Sequence, residues 1–176
     1  KKLSGRVEVD ETYVGGKARG RPGEKVKRGR GAPGKTVVMG LLERGGEVRA
    51  RVIENVRKKT LHGLIREGVS PGSEVLTDSL PSYRGLEPEY SHGVVDHSRE
   101  YVRDYVHTNG IENFWALLKR AIKGTYVRVS RQHLWRYLDE QAFRFNYRRV
   151  DDLDRFVRAV AGVFGKRLTY QELIAA

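Results

Sequence analysis

Val7-Glu8-Val9-Asp10-Glu11-Thr12-Tyr13 is the stretch from which the fold is read. Val7 and Val9 alternate with Glu8, Asp10 and Thr12, the period of two that sends successive side chains to opposite faces of a strand. Residues 36–43 and 47–53 are apolar-rich runs joined by Arg44-Gly45-Gly46, a hairpin signal where glycine takes positive φ. Residues 58–68 carry Leu61, Leu64 and Ile65 at helical spacing, with Gly68 placed to cap them. A short strand over 74–77 ends at Asp78, and 90–95 reads as a further strand.

From Asn109 the period becomes helical. Ile111, Trp115, Leu118 and Ile122 form one apolar stripe, Phe114 and Leu117 lie beside it, and Gly124 ends it. Glu112 and Lys119 are seven residues apart, about two turns, so both project from another side of the same helix. A second helix over 131–148 carries Leu134, Leu138, Ala142 and Phe145 inward, a third covers 152–164, and Thr169-Tyr170-Gln171-Glu172 is a capping box opening a last short one. Strand, hairpin, helix, strand, strand and then helices describe a mixed α/β domain with helices packed on a central sheet. The division expected is one domain over 1–150 and a helical extension of it over 151–176.

Charge narrows the partners. Lys and Arg number 34 against 22 Asp and Glu, a net charge of +12, and the pI is near 10.1. That balance favours a polyanion, either nucleic acid or an anionic membrane surface. No apolar run approaches the roughly 20 residues of a membrane span and no signal segment stands out, so a soluble, cytoplasmic, nucleoid-associated protein is expected. With no cysteine, disulfides and thiolate zinc sites are excluded. The chain starts at Lys1 and reaches Asp10 almost at once, the pattern expected of a piece whose other modules lie upstream.

Residues 14–35 are a different material. Lys17, Arg19, Arg21, Lys25, Lys27, Arg28, Arg30 and Lys35 stand among seven glycines with Glu24 as the single acid. Such a stretch cannot bury a core and reads as a mobile, glycine-rich basic loop suited to DNA backbone contact. Gly29-Arg30-Gly31-Ala32-Pro33-Gly34-Lys35-Thr36 also matches the nucleotide-binding P-loop pattern. That mechanism needs an apolar strand before the glycines and a helix after them. Charged residues precede this one and an apolar strand follows, so no ATP site is expected.

Three separated carboxylates and a helical lysine remain: Asp10, Asp78, Glu112 and Lys119. Phosphodiesters resist attack, and two Mg²⁺ ions about 3.5–4 Å apart overcome this by activating the nucleophile and neutralising the leaving oxygen. Mg²⁺ takes one or two protein carboxylates and completes its shell with water and phosphate. Against this stands the ordinary reading of acids as solvated surface groups. It is weaker for Asp10 and Asp78, which follow apolar runs, while Glu112 can simply favour the positive end of its helix. Trp115 reads as core and Trp135 is open. His62, His92, His97 and His133 read as structural or surface residues.

The phrases Val7-Glu8-Val9-Asp10-Glu11-Thr12-Tyr13-Val14-Gly15-Gly16, Leu76-Thr77-Asp78-Ser79-Leu80-Pro81-Ser82-Tyr83 and His107-Thr108-Asn109-Gly110-Ile111-Glu112-Asn113-Phe114-Trp115-Ala116-Leu117-Leu118-Lys119-Arg120 carry a resemblance. Together with Gly124-Thr125-Tyr126, Tyr137-Leu138-Asp139-Glu140, Phe143-Arg144-Phe145-Asn146 and Arg167-Leu168-Thr169-Tyr170, they resemble the catalytic domain of bacterial insertion-sequence DDE transposases, in the ISXO-two-like branch. The resemblance implies an RNase H-like fold with Asp10 and Asp78 as the first two metal ligands. It leaves the third position between Asn109 and Glu112, with Glu112 favoured because Lys119 stands seven residues on and an anion binds Mg²⁺ better than an amide. Lys119 is implied as a phosphate contact, with Arg120 beside it. For His107, substrate contact and a hydrogen bond at the start of the helix stand as equals. The activity implied is Mg²⁺-dependent cleavage and strand transfer, with Mn²⁺ as a substitute, on transposon ends and target DNA, by a homodimer or larger assembly. The alternatives are an RNase H-like nuclease or resolvase without strand transfer, and a non-catalytic DNA-binding module.

Overall fold

The computed structural model describes residues 1–15, 34–95, 106–127 and 129–174. Its sheet has five strands: β1 (Arg6–Val14), β2 (Thr36–Glu43), β3 (Val48–Ile53), β4 (Glu74–Asp78) and β5 (Ser91–Val95). They lie in the order β3-β2-β1-β4-β5. The first three form an antiparallel meander, whereas β4 and β5 run parallel to β1. The hairpin between β2 and β3 turns as the glycines suggest: Gly45 takes φ 76°, and the Glu43 amide donates to the Glu47 carbonyl at 3.0 Å.

Helix α1 (Lys58–Gly68) crosses from β3 to β4. Its Leu61 and Ile65 pack with Val7, Val9, Met39, Leu41 and Val75 on one face of the sheet. Gly68 does not take the positive φ of a left-handed cap. A β-carbon there would lie 2.5 Å from Leu41 Cδ1, so this glycine serves close helix–sheet approach instead. The opposite face is covered by α2 (Asn109–Gly124) and α3 (Leu134–Asn146). Ile111, Phe114, Trp115, Leu118, Leu134, Leu138 and Phe145 form the second core there with Val38, Leu42 and Val48. Fully burying each such side chain contributes about 1.5–3 kcal/mol.

Because both faces are covered, polar side chains of β1 on the face opposite Val7 and Val9 are buried as well. Glu8 is 1% exposed and Thr12 is 5% exposed. Helix α3 is shorter than 131–148, since Arg131–His133 forms a tighter 3₁₀ turn before it. Its last residue, Asn146, closes the end of edge strand β3: the Val48 amide donates to its Oδ1 at 2.7 Å and its Nδ2 donates to the Val48 carbonyl at 3.1 Å. Beyond lie α4 (Asp152–Ala161), shorter than the 152–164 expected, and α5 (Tyr170–Ile174). The capping box forms, with the Thr169 amide donating to Glu172 Oε2 at 2.7 Å and the Glu172 amide to Thr169 Oγ1 at 3.2 Å. Neither helix buries a residue. Among the described residues no helix is long and apolar enough to cross a membrane.

Candidate active site

Strands β1 and β4 pair in parallel, with Arg6 opposite Glu74, Val7 opposite Val75 and Glu8 opposite Leu76. The same register carried two residues further sets Asp10 level with Asp78, just where the ladder between the strands has ended. Carboxyl ends of parallel strands are where α/β sheets hold ligands, because the strands part there. Asp78 is fixed by the turn that follows, its Oδ1 accepting from the Leu80 amide at 2.9 Å. Asp10 is half-buried, and its carboxyl is pushed up to about 7 by burial first, then by the charges of Glu11 and Asp78.

Trp115 opposes that shift. Its indole Nε1 donates to Asp10 Oδ2 at 2.9 Å, favouring the charged carboxylate. The contact is possible because β2 carries Gly40 opposite Asp10. A β-carbon at Gly40 would lie 2.6 Å from the Trp115 ring and 2.8 Å from Ile111 Cδ1. Trp115 is therefore core, as its apolar neighbours suggest, and also the donor that orients Asp10. Its spacing in the apolar stripe concealed the second role.

Glu112 and Lys119 flank Trp115 on α2 at i−3 and i+4, both exposed. Glu112 Oε1 accepts from Thr108 Oγ1 at 2.9 Å, and Asn109, the first helical residue, is also exposed. Among the described residues no group of three or more His, Asp or Glu side chains converges closely enough to hold a metal ion. Asp10 and Asp78 are thus brought together, and Glu112 does not complete a cluster with them. Arg120 lines a cleft of about 410 Å³ between α2 and α3, with Phe114, Leu117, Phe145 and Arg148.

His107 lies before α2, half-buried, with Nδ1 3.5 Å from Glu8 Oε1 and no hydrogen bond at that nitrogen. Its carbonyl accepts from Arg44 Nη2 at 2.7 Å. Lys35 is half-buried at the foot of β2. Lys17, Arg19, Arg21, Lys25, Lys27, Arg28 and Arg30 lie outside the described residues. The segment that carries them leaves β1 at Val14 and rejoins the sheet at Thr36, which pair. Four strand residues, about 13 Å, separate that root from Asp10. The P-loop match fails on its own terms, because Thr36–Glu43 is a strand and not the helix such a loop requires.

The remaining histidines divide by environment. His62 is buried, its pKa held below the usual value by burial and then by Lys58 and Arg66. Burial also lowers His92, whose Nε2 lies 2.9 Å from the Thr77 hydroxyl. His133 is half-buried, and His97 lies outside the described residues. Trp135 is 48% exposed beside the Arg136 guanidinium.

A five-stranded mixed sheet with helices on both faces is an RNase H-like fold, the fold of an integrase catalytic core. The catalytic core domain of BIV integrase superposes with a TM-score of 0.56 at 12% identity, over 92% of this chain and 99% of that one. The Mos1 transposase paired-end complex with left transposon end gives 0.46 at 16% identity, over 92% of this chain and 52% of that one. Residues 2–146 match the family described as the ISXO2-like transposase domain, and the chain belongs to that family. An uncharacterised transposase-like protein of Haemophilus influenzae is 38% identical over 96 residues, which is 54% of this chain and 77% of that protein.

Proposed function

We propose that the domain cleaves DNA strands and joins the freed 3′ end to target DNA, with Mg²⁺ held first by Asp10 and Asp78. The observation that carries this reading is the pairing of those two carboxylates at the strand ends, close enough that the charge of Asp78 helps push Asp10 to about 7. Like charges so crowded favour a dication between them. The donor set fits: two carboxylates suffice for Mg²⁺, which takes its other ligands from water and substrate phosphate. Bound there, Mg²⁺ supplies a polarised phosphoryl oxygen and a neutralised leaving oxygen.

The chain's own residues supply position. Trp115 holds one oxygen of Asp10. Glu112 is the third carboxylate in this reading, brought toward Asp10 and Asp78 when substrate and metal bind, with Asn109 orienting it. Lys119 and Arg120 contact phosphates along the outer side of α2, His107 lies at its start, and the basic residues 17–35 grip the DNA backbone, independently of sequence. Two displacements follow. A water oxygen bonds to phosphorus as the bond to the 3′ oxygen breaks, and that oxygen leaves as a 3′-OH. The 3′ oxygen then bonds to a target phosphorus as one target P–O bond breaks. Each step exchanges one P–O bond for another, so no ATP is consumed. Holding two DNA ends at once calls for a dimer or larger assembly.

A labelled duplex ending in the element's own terminal sequence, offered with plasmid target and Mg²⁺ or Mn²⁺, tests this. Joined products are expected, and Asp78→Ala should lower their yield by about 10³-fold or more, the scale for losing a group that acts on reacting atoms. Cleavage without joining would make the protein a nuclease, and full activity in Asp78→Ala would remove the carboxylate pair from the chemistry.

A further inference from the structure

We propose that Glu8 is a positioning residue, the tertiary cap that holds the start of α2, and with it Glu112, in register over Asp10. This rests on the reading of Asp10, Asp78 and Glu112 as the metal-binding set.

Thr108 stands at the N-cap of α2 with φ −115° and ψ 19°, outside the extended region of a capping residue, and makes no side-chain cap bond. Its hydroxyl donates to Glu112 Oε1 instead. A carboxylate 103 residues away takes over: the Ile111 amide donates to Glu8 Oε2 at 2.9 Å. An anion at a helix N-terminus meets both the free amide and the positive end of the dipole. Glu8 is buried and neutralised, since Arg44 Nε donates to its Oε1 at 2.7 Å. Arg44 also reaches the His107 carbonyl at 2.7 Å, so one ion pair grips the chain on both sides of Thr108.

The spacing explains why this sets register. Glu8 and Asp10 share a face of β1 about 6.6 Å apart, and Ile111 and Trp115 are one helical turn apart, about 6 Å. The two carboxylates therefore meet successive turns of α2, Glu8 at Ile111 and Asp10 at Trp115. Glu112 lies between those fixed points. Gly110 completes the device: a β-carbon there would sit 2.8 Å from Glu8 Oε2 and 2.6 Å from Leu42 Cδ2.

The test is a cycle of Glu8→Ala, Glu112→Ala and the double variant, read by Mn²⁺ titration and by amide hydrogen exchange of the metal-free protein. Glu8→Ala is expected to speed exchange at Ile111 and to weaken Mn²⁺ binding about tenfold, the scale for residues that orient a metal ligand. In the Glu112→Ala background the Mn²⁺ effect of Glu8→Ala should vanish. An equal Mn²⁺ effect in both backgrounds, or unchanged exchange at Ile111, overturns the proposal. Glu112→Ala that leaves Mn²⁺ binding unchanged overturns the metal role of Glu112, and the exchange data still decide whether Glu8 caps the helix. If Glu8→Ala does not fold, Glu8→Gln replaces it: the neutral acceptor keeps the Ile111 bond, and a smaller Mn²⁺ loss, again absent without Glu112, is expected.

Discussion

Glu8 and Asp10 are two carboxylates on one face of one strand, two residues apart, and they have opposite fates. Glu8 lies under the start of α2 with Arg44 against it at 2.7 Å, its charge answered from within the chain. Asp10 lies where β1 and β4 part, with a tryptophan N–H on one oxygen and Asp78 nearby, and its carboxyl is driven up to about 7. A buried charge with a built-in counter-ion is structure. One crowded by other carboxylates and met only by neutral donors, the Trp115 indole and the Glu11 backbone, has no counter-ion among those contacts, and its carboxyl is pushed up.

Removing the counter-ion should blur that contrast most. Arg44→Ala leaves Glu8 charged and buried, and loss of one partner of such a pair costs several kcal/mol. With Arg44 itself one-fifth exposed, a loss of about 2–3 kcal/mol is expected in urea unfolding, where a change under 0.5 kcal/mol would show that the pair does not hold the fold.

Asp10→Asn sharpens the contrast by pH. The Asp10 carboxyl is pushed up to about 7 in the fold from an ordinary value of 3.8. Between those limits the folded state holds the extra proton, so the metal-free protein loses stability as pH rises from about 4 to 7. Asp10→Asn should flatten that fall and stabilise the metal-free protein at pH 7 by on the order of 1–2 kcal/mol, after discount for partial exposure. Melting curves across that pH range check it, and identical slopes for the two proteins would contradict it.

The smallest expected change is at Trp115→Phe, which keeps an aromatic ring over Gly40 and removes the donor to Asp10. The Asp10 carboxyl should titrate higher still, because that hydrogen bond lowers it, and about 1 kcal/mol of stability should be lost. Carboxyl-carbon NMR titration reads the shift directly, and an unmoved Asp10 would place its orientation elsewhere.

Local pattern carried much of this architecture. The strand over β2, the helices α1 and α2 and the capping box before α5 are set by residues within one or two turns of each other, and their limits are legible as written. Where reading fell short, distant neighbours had intervened. Leu117 lies beside an apolar stripe yet is 39% exposed, since α3 covers only part of that side. Gly68 looks like a cap and is a contact point for Leu41.

The sequence by itself determined a mixed α/β domain and its basic charge, and singled out Asp10, Asp78, Glu112 and Lys119, because period, turn residues and motif spacing are local properties of the chain. Only the tertiary structure decided that Glu8 is a cap, that Trp115 serves Asp10, and that Asp10 stands level with Asp78. These depend on pairs 103, 105 and 68 residues apart. Strand register and helix placement, not local propensity, bring such pairs together.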